Sequence, residues 1–140
     1  MNIRSFIVGL IFGGCFFMIA EVSVALDAED KVLCEKMAVD KSNLYLLDIF
    51  ELFMGNVTTT EVSILAKGKQ VCFRGVATGR NDATNSTIAT FEDRIFCKQT
   101  TDAERIAATK LRKTGYYVVG KFTGVSGNTI SLNNCVFQQM

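Results

Sequence analysis

Cys34, Cys72, Cys97 and Cys135 are the residues of this 140-residue chain best equipped for chemistry, and their oxidation state decides which chemistry that is. As thiolates they would be nucleophiles or metal ligands; paired, they are crosslinks without reactivity. The chain has no histidine, which removes Ser–His and Cys–His nucleophile pairs together with the commonest metal ligand. The cysteine spacings are long and contain no CxxC pair, so no zinc site is expected. The acids offer no better set. Glu29-Asp30 and Glu92-Asp93 are sequence neighbours, and neighbouring side chains on a strand or turn point apart, which argues against a catalytic carboxylate pair. Neither an enzymatic activity nor a metal or organic cofactor is expected.

Oxidised cysteines are the expectation because the chain begins like an exported protein. Arg4 supplies a positive start, Phe6 to Ala20 is apolar, and Ser23-Val24-Ala25 places small residues where a signal peptidase reads. That run is shorter than the roughly 20 residues a membrane-spanning helix needs. Residues 1–25 are therefore read as a signal peptide, with a retained anchor as the alternative. Cleavage after Ala25 removes Cys15 and leaves four cysteines in a small periplasmic or secreted domain, where two disulfides are the usual outcome. Four cysteines allow three pairings, and their spacing does not choose among them.

Residues 26–56 carry apolar side chains at helical spacing, notably Val32, Leu33 and Met37, then Leu44, Leu47, Phe50, Leu52 and Phe53. Asp40-Lys41-Ser42-Asn43 interrupts the pattern, so two short helices or one bent helix are predicted, stopping at Gly55-Asn56. Residues 57–140 read as a separate unit rich in strands. The predicted strands are Gln70–Thr78, Ser86–Phe91, Arg94–Lys98, Tyr116–Thr123 and Thr129–Gln138. A helix intervenes after the third, capped at Thr100 or Thr101 with Glu104 completing a capping box and Ile106, Ala107 and Leu111 as its apolar stripe. The order is β-β-β-α-β-β. In the first strand Val71, Phe73, Gly75 and Ala77 share one face, and in the fourth Tyr116, Val118, Gly120 and Phe122 do. A glycine amid such a face marks sharp bending or close approach, as the strands of a small closed barrel require.

With Lys67-Gly68-Lys69 before the first strand, Gly75 within it and Cys97 on the third, the chain resembles the tRNA-anti-like branch of the OB-fold superfamily. Lys113-Thr114-Gly115, Gly120 and Leu132-Asn133-Asn134-Cys135-Val136-Phe137 extend the likeness over residues 67 to 137. The resemblance implies a mainly β fold, a five-stranded OB-type Greek-key barrel behind a helical N-terminal extension. It also implies that the third and fifth strands are neighbours, which favours a Cys97–Cys135 bridge and leaves Cys34 to Cys72. Cys72 is out of phase with Val71 and Phe73, so it should face away from the barrel core, towards the preceding helix.

Charge is divided between the two parts. Residues 26–56 hold seven acids and three bases, net −4, whereas residues 57–140 hold eleven bases and six acids, net +5. A basic barrel suggests an anionic partner. OB barrels bind across their second and third strands, where Arg74, Arg80, Arg94 and Lys98 are the expected cations and Phe91 and Phe96 the expected aromatic platforms. An envelope protein or glycan is the favoured partner. Single-stranded nucleic acid or an oligosaccharide on the basic face is one alternative, and an adaptor role in an envelope assembly is another. An apolar patch from Leu46, Leu47, Phe50 and Phe53, left uncovered by the barrel, would mark a protein-binding surface.

Overall fold

The computed structural model describes residues 26–140; residues 1–25, read above as a signal peptide and including Cys15, lie outside the described residues. Four helices and six strands follow one another as α1 (Ala28–Met37), β1 (Leu44–Leu46), α2 (Ile49–Phe53), α3 (Thr59–Leu65), β2 (Gln70–Asp82), β3 (Thr87–Phe91), β4 (Ile95–Gln99), α4 (Asp102–Thr109), β5 (Gly115–Ser126) and β6 (Thr129–Gln139). Among the described residues no helix is long and apolar enough to cross a membrane.

Strands β2 to β6 close into a barrel. Their order is β2-β3-β4-β6-β5, and β5 returns to pair antiparallel with β2 from Gln70↔Lys121 to Val76↔Gly115. The β4–β6 pair is parallel, with Cys97 opposite Leu132, while the other barrel pairs are antiparallel. That order, one parallel pair and a helix between the third and fourth barrel strands define an OB-type fold. Side-chain alternation gives the barrel its core. Val71, Phe73 and Ala77 of β2 are buried with Phe91, Ile95, Tyr116, Val118, Ile130 and Leu132, and Phe91 meets Phe73 edge-on at 5.7 Å between ring centroids.

Gly75 and Gly120, each amid a core-facing row, sit at close approaches. A Cβ at Gly75 would stand 3.0 Å from the Phe73 ring, and one at Gly120 would run into the Cys135 sulfur. Where β4 ends beside β6, Asn134 takes a left-handed backbone and the fully buried Gln99 side chain continues the pairing. Its Nε2 donates to the Cys135 carbonyl at 2.8 Å, and its Oε1 accepts from the Cys135 amide at 2.7 Å.

The outside of the barrel has its own small core. Cys34 of α1 is bridged to Cys72, which faces outward as expected, and the pair packs with Val119. Beside the bridge, buried Asp30 accepts from Arg74 at 3.1 Å and from the Tyr117 hydroxyl at 2.6 Å. Cys97 is bridged to Cys135.

Two local expectations are corrected. Leu44–Leu46 is a strand rather than part of a helix, pairing parallel with Gln70–Cys72. Its apolar spacing suits either state, and the free edge of β2 decides for the strand. On α4, Ile106 is 55% exposed and Ala107 is exposed too; Ala108 is the buried residue, with Leu111 half-buried beyond the helix end. Arg105 fixes this rotation by donating to the Ala83 and Thr84 carbonyls and to the Thr87 hydroxyl, and the small Ala108 lets the helix approach the barrel. The capping box of Thr101 and Glu104 forms as read.

Candidate functional site

The outward face of the second and third barrel strands is built by alternation. Residues 88 and 90 of β3 and 96 and 98 of β4 point outward because 89, 91, 95 and 97 are fully buried. Register sets Ile88 against Lys98 and Thr90 against Phe96. Across the parallel pair, Phe96 meets Ser131 and Lys98 meets Asn133. This face is half-buried to exposed and contains no acid. It joins an aromatic ring, an ammonium group, hydroxyls and a carboxamide on rigid strands.

Of the side chains singled out in the sequence, only Phe96 and Lys98 lie there. Phe91 is fully buried in the core, so it offers no platform to a ligand. Arg74 lies beneath α1, committed to Asp30 and set 5.7 Å from the Tyr117 ring centroid. Arg80 donates to the Thr109 carbonyl and pairs with Asp82 at 3.4 Å. Arg94 donates to the Asn128 carbonyl and sits over the Phe53 ring at 5.3 Å. These three arginines tie barrel strands and turns to their surroundings.

The acid pairs are structural as well. Asp30 is buried, and burial would raise its pKa; hydrogen bonds from Tyr117, from the Asp27 amide and from Arg74 prevail and hold it low. Glu92 and Asp93 form the β3–β4 turn with left-handed backbones, and the Glu92 carboxylate accepts from the Val76 amide at 2.6 Å. Among the described residues, no group of three His, Cys, Asp or Glu side chains is placed to hold a metal.

The apolar patch is smaller than the sequence suggests. Leu47 is fully buried and Leu46 half-buried, leaving Phe50 at 44% and Phe53 at 48% exposed, with Met54 beside them at 62%.

Sequence reasoning missed Gln70 and Lys121, which the β2–β5 register sets opposite each other on another part of the barrel wall. Lys67-Gly68-Lys69 was visible as a motif, but its partner strand was not.

No family model and no curated protein matches the chain. Among solved structures it is similar to a chain of "Structure and Conformational Change of a Replication Protein A Heterotrimer Bound to ssDNA". The two are 16% identical over 54% of this chain and 62% of that chain, with a TM-score of 0.38. The chain thus spans less than two thirds of that neighbour, and its OB-type fold rests on strand order and closure.

Proposed function

We propose that this is an exported, non-enzymatic OB-barrel module of the tRNA-anti-like kind, binding a protein or envelope-glycan partner through the outward β3–β4 face. The carrying observation is that face itself: Phe96 and Lys98 project from successive outward positions of one rigid strand, flanked by Thr90, Ser131 and Asn133 and free of acids. A ring for an apolar surface or sugar face, beside a few placed polar groups, is the usual make-up of a specific site. The apolar run from Phe6 to Ala20, the small residues Ser23-Val24-Ala25 and the two disulfides support a periplasmic or secreted location.

The nucleic-acid alternative draws on less. Sequence-independent binding of single strands uses a cationic groove with several stacking aromatics, and this face supplies one lysine and one phenylalanine.

The test is photocrosslinking in the protein's own host, with a photoreactive side chain at position 96 or 98 and a control at Lys31 on α1. Capture of a protein or glycan from 96 and 98 but not from 31 is the expected result. Equal capture from all three positions, or none, overturns the reading; capture of oligonucleotide favours the alternative.

A further inference from the structure

The β3–β4 face continues around the barrel wall onto β6 and β5. Asn133 of β6 is the register partner of Lys98 on one side and of Lys121 on the other. Partners in register share a face of the sheet. Their chain neighbours Cys97, Gly120 and Leu132 are buried, so Lys98, Asn133 and Lys121 all point outward. Three neighbouring strands thus carry the row Lys98–Asn133–Lys121, its two exposed lysines two strand spacings, about 10 Å, apart. Phe96 and Ser131, paired with each other, form a second row beside it.

The cations of this row are free. Among the described residues neither lysine has a carboxylate within 4.0 Å. Asp40 borders the same shallow depression as Lys121, but its Oδ1 is taken by the Ser42 hydroxyl and amide, at 2.6 and 3.0 Å. Between the two lysines, the Asn133 Oδ1 is buried with no hydrogen-bond donor. An acceptor left so is unfavourable, and the terminal torsion of a carboxamide is soft enough to turn it towards a donor on the surface.

We propose, resting on the β3–β4 face as a binding site, that its ligand is an acidic oligosaccharide laid across β4, β6 and β5. Lys98 and Lys121 hold two of its carboxylates, Asn133 meets a hydroxyl between them, and a sugar ring lies on Phe96. Charge complementarity selects an anionic ligand, and two separated cations suit a chain with separated charges. The carboxamide and the Ser131 hydroxyl suit the hydroxyls of a sugar. A single strand of nucleic acid also spaces its charges, but it calls for several stacking platforms, and Phe96 is the one aromatic ring in the two rows.

The experiment is titration calorimetry of the full chain with tetragalacturonate, neutral maltotetraose and an oligodeoxythymidylate, for wild type, K98Q, K121Q, F96A and a K110Q control. Wild type and K110Q are expected to bind tetragalacturonate, less tightly as sodium chloride is added. K98Q and K121Q should each weaken that binding about tenfold, as the loss of one charge-assisted hydrogen bond does. Maltotetraose should bind wild type at least about tenfold more weakly than tetragalacturonate, for the same reason. Equal binding of the two sugars, lost only in F96A, overturns the acidic ligand and keeps the face as a site. Tighter binding of the oligonucleotide than of tetragalacturonate overturns the glycan in favour of nucleic acid. No binding of tetragalacturonate, or binding unchanged in both lysine variants, overturns the proposal, and crosslinking from positions 96 and 98 then still decides the face by itself.

Discussion

The sulfur of Cys135 occupies the space where residue 120 would carry a Cβ, so the fourth barrel strand can pass the Cys97–Cys135 bridge only as glycine. The Leu132 Cβ at 3.2 Å and the Asn133 carbonyl at 3.3 Å close the remaining sides. Gly120→Ala should therefore cost about 3 kcal/mol, the upper range for overpacking a core. Urea unfolding of Gly120→Ala in wild type and in a Cys97→Ala/Cys135→Ala background checks this. The cost should fall markedly in the second background, where the obstructing sulfur is gone.

The two disulfides separate cleanly by location. Each spans a sequence separation of 38, so the chain-entropy contribution is the same for both, about 4 kcal/mol. Their structural consequences differ. Cys34→Ala/Cys72→Ala should lose hydrogen-exchange protection first in α1, which that bridge fastens to the barrel. Cys97→Ala/Cys135→Ala should lower protection throughout the barrel. Equal loss everywhere in both variants would contradict the division into an inner and an outer core.

Gln99 replaces a stretch of missing strand, and its amide satisfies two backbone groups of buried Cys135. Gln99→Leu fills a similar volume but leaves both groups unpaired. A loss of about 2 to 6 kcal/mol in equilibrium unfolding is expected, from about 1 to 3 kcal/mol for each of the two orphaned polar groups.

Stability should form a plateau in pH with a shoulder on each side. Asp30 is held low in the folded state, so its contribution is present above the ordinary carboxylate value of about 3.9 and fades as pH falls through the folded value. Glu104 acts in the same direction: burial would raise it, but bonds from Asn134, Thr100 and Thr101 hold it low. Tyr117 is raised, chiefly by its hydrogen bond to Asp30, so its contribution is present below about 10 and fades as pH climbs through the folded value. Asp30→Asn should flatten part of the acid limb and much of the alkaline limb at once, measured by urea midpoints from pH 3 to pH 11. Tyr45, raised by burial and then by Glu61, leaves a residual alkaline slope.

The alternation in Val71-Cys72-Phe73 made both the inward face of β2 and the outward cysteine legible, because a two-residue period is local. The capping box at Thr101 and Glu104 was legible for the same reason. Leu44–Leu46 was not, since its strand state depends on the distant edge of β2. Arg74, Arg80 and Arg94 read as free cations in sequence because nothing local reveals Asp30, Thr109 or Asn128 as their partners. Phe91 and Phe96 look alike in sequence, and only the phase of the barrel strands separates core from surface. The placing of Gln70 opposite Lys121 needs the closing β2–β5 register, which no local pattern contains.

Read from the N-terminus, the first cysteine of the described chain is joined to the second and the third to the fourth: Cys34 to Cys72, then Cys97 to Cys135. The two covalent loops neither interleave nor nest. An oxidant that links cysteines in their order along the chain would produce the native set directly, leaving nothing for an isomerase to reshuffle.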